Sequence, residues 1–234
     1  MKKLLQDNFE RIYCINLDGR PDRWAECQEE FKKYNIQDIV TRWPATRLEK
    51  VEFKRNRAHG CADSHVRVIK KAKEDKLKNV LIFEDDIEFL KYYLRRGRVV
   101  ESNPVDILEK GLNQLKNINW DMFYLGYSIK ILNFCNFKQL AANLFQSTLQ
   151  LVTHSYAVDS NIYDNIIHDD PAGKATLDEY YAYYLNPKVN AVNLCPLIAH
   201  QRDSYSDILN KDRQDITTWV DRNLRHFGQK CQLE

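Results

Sequence analysis

Several features that mark special classes of protein are scarce or missing in this sequence. The chain has 234 residues with only 7 glycines and 6 prolines, and it shows no internal repeat or low-complexity tract, which excludes collagen-like, coiled-coil and wholly disordered chains. The 35 basic and 33 acidic residues nearly cancel, leaving a net charge of +2. Such a balance gives no broad basic surface of the kind that binds nucleic acid. An anionic ligand must therefore be held by local groups.

Long apolar runs are also absent. No window approaches the ~20 apolar residues of a membrane span, and the apolar start of the chain stops well short of the ~7 to 15 residues of a signal peptide. The 6 cysteines form no C-x-x-C pair and no regular framework, which favours reduced thiols over disulfides or cysteine-held structural zinc. These absences predict a cytoplasmic location, with a peripheral membrane contact left open as an alternative.

Short β-rich runs alternate with helical stretches through most of the chain. Hydrophobic residues make up 44% of it, which is enough for the core of a single large domain. The predicted strands cover residues 11–17, 39–43, 79–83, 120–125, 154–158 and 191–194, and the predicted helices cover 21–34, 61–72, 104–115, 161–167 and 176–185. Residues 95–103 are expected to form a mobile loop, and 127–150 fit either a long loop or short elements. The pattern predicts an α/β fold with a mainly parallel sheet flanked by helices, whose ligands bind at the carboxyl ends of strands.

The most informative strand runs directly into three acids. The apolar run of residues 80–83 is typical of a strand buried on both sides, and Glu84, Asp85 and Asp86 follow it. Alternation along a strand is expected to place Glu84 and Asp86 on one side and Asp85 on the other. Clustered acids at a buried edge need a cation or hydrogen-bond donors to compensate them. Carboxylates suit Mn²⁺ or Mg²⁺, with phosphate oxygens as further ligands. The alternative is a solvated acidic turn before the next element.

These acids belong to a longer series of short motifs. The series is Ile15-Asn16-Leu17 with Arg20, Asp22 and Arg23, then Gly60-Cys61 with Ser64-His65, Leu81-Ile82-Phe83-Glu84-Asp85-Asp86, Trp120-Asp121 with Tyr124-Leu125-Gly126, Tyr156-Ala157, Asp178, Pro196, Gln201 and Ser206-Asp207-Ile208. In this order the motifs make the chain resemble glycosyltransferase family 25, the lipooligosaccharide and collagen-type galactosyltransferases.

The resemblance implies a GT-A (Rossmann-like) nucleotide-sugar transferase fold and a metal-dependent, inverting transfer of a hexose, galactose or glucose, from a UDP-sugar. The acceptor would be a hydroxyl on a glycan or on a hydroxylated protein, such as hydroxylysine. Carried to this chain, Asp86 is the first metal ligand, and Glu84 or Asp85 lies near the ribose. One domain is expected, with residues 1–126 forming the nucleotide-binding half and 127–234 the acceptor half.

An inverting displacement also needs a carboxylate base on the face opposite the leaving group. We expect Asp178 to be this base because it lies late in the chain, after the nucleotide-binding half. Glu179 is the second choice and Asp121 the third. The alternative for Asp178 is an acid in the first turn of a helix, where the macrodipole favours it.

The nucleotide is expected to contact the end of the first strand and the helix that follows it. Asn16, Asp18, Arg20 and Arg23 lie there, and arginine can bind phosphate in fork geometry. The alternative is an exposed helix start whose arginines pair with neighbouring acids, with Asp18 forming only a turn.

Two further segments are expected near the donor. Ser64 and His65 lie near a predicted helix start, which is a natural anion site, although a cap and a packed core histidine explain them equally. His200 follows a late strand and is a candidate third metal ligand, with a structural histidine as the alternative.

The end of the chain is expected to contribute to the sugar or acceptor site through Glu179, Gln201, Ser206 and Asp207. Tyrosines in the predicted helix 176–185 either stack on sugar faces or join the core. The basic residues of the segment 91–98 either close over the diphosphate, touch an anionic lipid surface or form a plain solvated loop.

Two rival functions share these features. A nucleotidyltransferase also needs acids, a metal ion and phosphate contacts, but it releases pyrophosphate rather than UDP. A degenerate transferase that only binds nucleotide-sugar or glycan would lack turnover altogether.

Overall fold

The computed structural model describes residues 1–47, 54–95, 98–129, 138–169, 171, 175–202, 205–206 and 211–212. The helices are α1 (Lys2–Asn8), α2 (Pro21–Lys32), α3 (Lys54–Glu74), α4 (Pro104–Leu115), α5 (Tyr163–His168) and α6 (Leu177–Tyr180), with 3₁₀ turns at Ser160–Ile162 and Asn186–Lys188 and a π-helical turn at Tyr181–Leu185. The strands are β1 (Arg11–Asn16), β2 (Val40–Pro44), β3 (Asn79–Glu84), β4 (Ile87–Phe89), β5 (Tyr92–Arg95), β6 (Arg98–Glu101), β7 (Met122–Ile129), β8 (Lys138–Ala141), β9 (Leu144–Gln146), β10 (Gln150–Asp159), β11 (Ala191–Leu194), β12 (Ala199–Gln201), β13 (Tyr205–Ser206) and β14 (Lys211–Asp212).

An eight-stranded sheet in the order β2-β1-β3-β10-β7-β11-β9-β8 forms the centre of the protein. β10 and β9 run antiparallel to their neighbours, while the other strands of the sheet all point the same way. The predicted α/β class with a mainly parallel sheet is confirmed. The sequence pattern did not reveal that β10 lies between β3 and β7, because pairing between distant segments leaves no local periodicity.

Helices cover both faces of this sheet, as predicted. Along β1 the side chains alternate between two buried clusters, so Ile12 and Cys14 face one way and Tyr13 and Ile15 face the other. The first face packs against apolar residues of α1, α2 and α4. The second face packs against α3, α5 and α6. Burial on both faces explains why β1 and β3 read as nearly continuous apolar runs.

The starts of two helices follow from their local sequence. Pro21 and Pro104 each occupy the first helical position of α2 and α4, where the missing N–H would have no partner in any case. Asn103 caps α4, since its side-chain oxygen accepts the backbone N–H groups of Val105 at 3.0 Å and Asp106 at 3.4 Å.

Two local predictions were wrong, and a third, which left two alternatives open, is decided in favour of short elements. The segment expected to be a loop at 95–103 instead contributes to a hairpin, because β5 and β6 pair antiparallel. α3 begins at Lys54 rather than near Cys61, because the polar residues before Cys61 continue the helix and do not cap it. The ambiguous stretch 127–150 contains β8 and β9, which add two strands to the edge of the sheet.

Within the described residues, Cys14, Cys27, Cys61 and Cys195 form no disulfide bond with one another. Cys135 and Cys231 lie outside the described residues. Within the part of the chain that the structure describes, each helix is too short or too polar to cross a lipid bilayer.

Gly126 lies at a close approach of three strands. A methyl group added to it would overlap the carbonyl oxygen of Ala199 on β12 and the ring of His154 on β10. That oxygen and Nε2 of His154 lie 3.2 Å apart. We expect Gly126→Ala to lower the free energy of unfolding by about 2 to 3 kcal/mol, because backbone of another strand cannot move aside cheaply.

Gly111→Ala is the matched control. Its added methyl would overlap the Cδ1 atom at the end of the Leu194 side chain and would meet Leu144 at ordinary contact distance, with no backbone atom in its way. Alanine is preferred over glycine in a helix by about 1 kcal/mol. Urea unfolding of both variants tests the difference, and an equal loss in the two would contradict the close approach at Gly126.

Candidate functional site

The carboxyl ends of β1 and β3 lie next to each other at the point where the chain direction of the sheet reverses. From β1 the chain passes through α2 to β2 on one side, whereas from β3 it continues to β7 on the other side. Ligands of open α/β sheets bind in the crevice at such a switch point. Asn16 ends β1 and Glu84 ends β3, so the acids predicted from the sequence lie at this crevice.

Asp85 and Asp86 share one arginine there. The Nη2 atom of Arg23 lies 2.8 Å from Oδ1 of Asp85 and 3.0 Å from Oδ2 of Asp86. All three side chains are buried. The side-chain amide of Asn16 donates to Oδ2 of Asp85 at 2.7 Å. The expectation that Asp85 and Asp86 point to opposite sides was wrong. β3 ends at Glu84, so the two aspartates lie in a turn where strand alternation no longer applies.

Burial is the main reason why the pKa of Asp85 rises to about 7. The positive charge of Arg23 lowers the pKa, while the negative charges of Asp86 and Glu84 raise it further. One guanidinium group is therefore shared by two acids and does not fully compensate both.

A late segment of the chain closes behind this acidic turn. The backbone N–H of Arg202 donates to the carbonyl oxygen of Asp86 at 2.6 Å, and its guanidinium donates to the carbonyl oxygen of Asp85 at 3.0 Å and to Glu26 at 2.7 Å. The amide of Gln201 donates to Oδ2 of Asp86 at 3.3 Å. Sequence analysis found Gln201 but missed Arg202, because no local pattern connects it with residues more than a hundred positions earlier.

The end of β1 forms a second polar group beside Asp85. Oδ1 of Asn16 accepts from Nε of Arg42 at 2.8 Å, and Arg42 also pairs with Asp18 at 2.7 Å. Arg20 pairs with Asp22 at 2.8 Å, which matches the alternative of an arginine bound to a neighbouring acid. Arg42, which ties Asn16 and Asp18 together, was not predicted.

Glu84 faces away from Arg23 and towards α3 and β10. The hydroxyl of Thr153 donates to Oε1 of Glu84 at 2.6 Å, and Nε2 of His65 lies 3.3 Å from the same oxygen. Burial by itself would raise the pKa of Glu84, but His65 and Thr153 outweigh it and lower the pKa to about 2. Glu84 is therefore a carboxylate at neutral pH.

Thr153 reaches Glu84 from an irregular part of β10. Val152 has a φ of 66°, which is rare for a β-branched residue, and the pairing of β10 with β7 shifts register between Leu151 and Ser155. Bulges of this kind re-aim side chains and are common beside active sites. No sequence signal marks the bulge.

Ser64 and His65 do not form an anion site at a helix start, because α3 begins ten residues before Ser64 at Lys54. The hydroxyl of Ser64 donates to the carbonyl oxygen of Gly60 at 2.6 Å and accepts the N–H of Thr46 at 2.8 Å. It thus fastens the segment after β2 to α3. His65 is fully buried, and its Nδ1 lies 2.8 Å from the hydroxyl of Tyr156.

Asp178 lies in the first turn of α6, near the side of the acidic turn where Glu84 and Cys61 lie. Its Oδ1 accepts from the hydroxyl of Thr176 at 2.6 Å and from the N–H of Glu179 at 3.0 Å. Glu179 itself accepts the N–H of Thr176 at 3.4 Å. Burial raises the pKa of the Cys61 thiol well above its ordinary value, and the negative charges of Glu84, Asp178, Asp86 and Asp85 raise it further. Asp178 is thus close enough for its charge to act on the same thiol as the three acids.

The other predicted residues are placed as follows. His200 pairs across strands with β4, and its Nε2 lies 3.2 Å from Oε2 of Glu88. Tyr180 and Tyr181 are buried, while the side chains of Tyr183 and Tyr184 are about half exposed. Ser206 lies in β13. Asp207 and Arg96 lie outside the described residues.

Glu84, Asp86 and His200 were predicted to bind one metal ion, but the fold separates them. Within the described residues, Cys61, His65 and Glu84 are the only set of three or more His, Cys, Asp or Glu whose ligand atoms all lie within 4.8 Å of one another. Asp85 and Asp86, in contrast, already hold a cationic group between them. A hard ion that takes one or two carboxylates and completes its shell with phosphate oxygens and water fits this pair.

Comparison with known proteins gives a family for the middle of the chain. Residues 55–168 match the family described as glycosyltransferase family 25 (LPS biosynthesis protein), which confirms the resemblance over α3, the acidic turn and β10. No curated protein matches the sequence significantly.

Solved structures show weaker similarity. A glycosyltransferase involved in glycosylation of the major capsid of PBCV-1 has a TM-score of 0.46 and 11% identity, covering 76% of both chains. A197 from STIV has a TM-score of 0.47 and 10% identity, covering 83% of this chain and 86% of its own. Both TM-scores are below 0.5, and neither likeness bears on what this chain does.

The raised pKa of Asp85 predicts a pH dependence of stability. The pKa of Asp85 is about 7 in the folded protein against an ordinary value of 3.8. Protonated Asp85 therefore adds to the free energy of unfolding, and this contribution is complete below about pH 4. The contribution is lost as the pH rises through 7. Its size follows from the difference between the two pKa values and is on the order of 4 kcal/mol at most. We expect the free energy of unfolding of the wild type, minus that of Asp85→Asn, to fall over this range.

Urea unfolding at a series of pH values measures this difference. The Asp85→Asn variant is the reference because it cannot titrate at this position and still offers an oxygen to Arg23. Parallel stability curves for the two proteins between pH 4 and pH 8 would contradict the raised pKa.

Proposed function

We propose that this chain is a hexosyltransferase that moves galactose or glucose from a UDP-sugar to an acceptor hydroxyl, with inversion at the anomeric carbon. The match of residues 55–168 to glycosyltransferase family 25 supports the reaction class. The observation that carries the proposal is the buried cluster of Asn16, Arg23, Asp85 and Asp86 at the switch point of the sheet. At this edge of the sheet, the cluster offers carboxylates that can bind a ribose or a metal ion, and a guanidinium group that can bind phosphate.

The donor is proposed to bind along the ends of β1 and β3. Asp85 is proposed to accept hydrogen bonds from ribose hydroxyls, and Arg23 is proposed to bind the diphosphate. Asn16 holds Asp85 in place through its amide, while Asp18 and Arg20 border the same crevice. Ser64 and His65 support this edge from α3 rather than by contact with phosphate, because their polar atoms bond within the protein.

A divalent ion, Mn²⁺ or Mg²⁺, is part of the proposal. Asp86, together with Asp85, would hold it, and the ion would neutralise the charge that develops on the leaving diphosphate. Arg23 already supplies a positive charge next to Asp85 and Asp86. The ion would therefore compete with Arg23 for the two carboxylates. Glu84 and His200 contact other partners and are not assigned to this ion.

Asp178 is the proposed general base for the acceptor hydroxyl. Its Oδ1 is fixed by two hydrogen bonds within the first turn of α6, which gives the carboxylate a defined direction. Glu179, Gln201, Ser206 and Asp207 are proposed to border the sugar and acceptor. The proposed acceptor is a hydroxyl group on a glycan or on a hydroxylated protein side chain.

Donor hydrolysis tests the reaction class without knowledge of the acceptor. We expect the purified protein to release UDP from one UDP-hexose in a panel of donors, and calorimetry should show UDP binding that is tighter with Mn²⁺ than with EDTA. Release of pyrophosphate instead would indicate a nucleotidyltransferase. UDP-sugar binding without turnover, in the presence of candidate acceptors, would indicate a binding protein.

Asp178→Asn tests the base. We expect the variant to lose transfer by at least about 100-fold, since general base catalysis contributes about 10² to 10⁴, while UDP affinity stays within twofold. Asp164→Asn is a matched control because Asp164 is an exposed acid on α5 that pairs with Lys73. Transfer by Asp178→Asn at more than a tenth of the wild-type rate would remove Asp178 from this role.

A further inference from the structure

We propose that Cys61, His65 and Glu84 form a binding site for a thiophilic divalent cation of the Zn²⁺ class, separate from the Asp85–Asp86 edge. The proposal rests on the arrangement of these three side chains and does not require transferase activity.

The three ligand atoms converge because of two simple features of the fold. Cys61 and His65 are four residues apart on α3, so they share one face of the helix. Glu84 ends β3, which packs against that face. The thiol sulfur, one ring nitrogen and one carboxylate oxygen all lie within 4.8 Å of one another. Ligands of a tetrahedral zinc ion lie roughly 3.5 Å apart, so small side-chain rotations would complete the geometry.

His65 is oriented as metal-binding histidines are. It is fully buried, and its Nδ1 lies 2.8 Å from the hydroxyl of Tyr156, which in turn lies 3.2 Å from that of Tyr181. Nε2 points towards Glu84 but makes no hydrogen bond of good geometry. A histidine whose Nδ1–H is held by a second group presents the lone pair of Nε2 to a metal ion. In this arrangement Nε2 has only its 3.3 Å contact with the carboxylate of Glu84, which is weaker than a hydrogen bond of good geometry.

Glu84 is held in the same manner by a second hydrogen-bonding group. Thr153 donates to Oε1 of Glu84 at 2.6 Å, which fixes the carboxylate as outer-shell partners do. The side chain of Glu84 is 18% exposed, and Cys61 is partly exposed as well. Three protein ligands with an accessible fourth position are the pattern of an open zinc site.

Charge and ligand type favour this ion over a hard one. Glu84 is accompanied by Asp178 and Asp86, whose negative charges also act on Cys61, so the site attracts a cation. Sulfur and imidazole ligands select zinc-class ions, whereas Mg²⁺ and Mn²⁺ prefer oxygen. When the ion binds, the Cys61 S–H bond breaks, its proton passes to solvent and the sulfur electron pair forms the metal–sulfur bond.

Cobalt is the probe for this site because Co²⁺ bound to a thiolate absorbs light through sulfur-to-metal charge transfer. Full-length protein stripped of metal is titrated with Co²⁺ alone, and we expect one ion per chain with this absorption, displaced by Zn²⁺. Cys61→Ser should abolish the absorption. His65→Ala should weaken binding by at least about tenfold, and Thr153→Val and Tyr156→Phe, which keep their packing, by about tenfold as outer-shell changes.

Two variants serve as controls. His168→Ala removes an exposed histidine of α5 that lies outside the cluster, and Asp86→Asn removes the carboxylate proposed for the donor ion. Both should keep the charge-transfer absorption. The midpoint should be unchanged in His168→Ala and should move only to a somewhat higher Co²⁺ concentration in Asp86→Asn, which loses one nearby negative charge. Loss of the absorption in Asp86→Asn would place the ion at the donor edge and overturn the proposal. Circular dichroism identifies variants that do not fold.

Wild-type protein gives a readout that does not depend on folding of the variants. X-ray absorption at the zinc edge should show one sulfur at about 2.3 Å and nitrogen or oxygen neighbours at about 2.0 to 2.1 Å. A zinc shell without sulfur, no thiolate absorption with Co²⁺, or unchanged binding by folded Cys61→Ser would each overturn the site. None of these results depends on whether the chain transfers a sugar.

Discussion

The shared pairing of Arg23 with Asp85 and Asp86 is the contact on which the candidate site depends. Two acids at a buried strand end would repel each other and lose hydration, and the guanidinium group of Arg23 lies within hydrogen-bond distance of both. Asn16, Gln201 and Arg202 then bond to the same two residues from β1 and from the segment around β12. A charged crevice can exist inside an apolar sheet because these partners converge from distant parts of the chain.

The two sides of the acidic turn offer different chemistry. On one side the groups are oxygen ligands and guanidinium nitrogens, which suit sugar hydroxyls, phosphate and hard ions. On the other side Glu84 faces a thiol and an imidazole on α3, which suit a softer ion. The division arises from backbone geometry, because β3 ends at Glu84 and the chain turns before Asp85.

Sequence analysis predicted the parts of the structure that local chemistry determines. The apolar runs of β1 and β3 and the proline starts of α2 and α4 were sufficient for their bounds, and the acids after β3 indicated the edge of the sheet that carries the site. The hairpin of β5 and β6 was missed because its basic residues resemble a solvated loop. Arg202, Thr153 and Cys61 could not be recognised as partners of the acids, because their proximity arises only from strand order and from the bulge at Val152.

The position of β10 has a consequence for how the protein is made. β10 lies between β3 and β7 and is the strand that bonds to both, yet it follows them in the chain. A nascent polypeptide that ends before residue 150 therefore contains β3 paired on one side only, with β1, and contains β7 without either of its partners, β10 and β11. The edges of β3 and β7 stay open to other partners during that interval of translation.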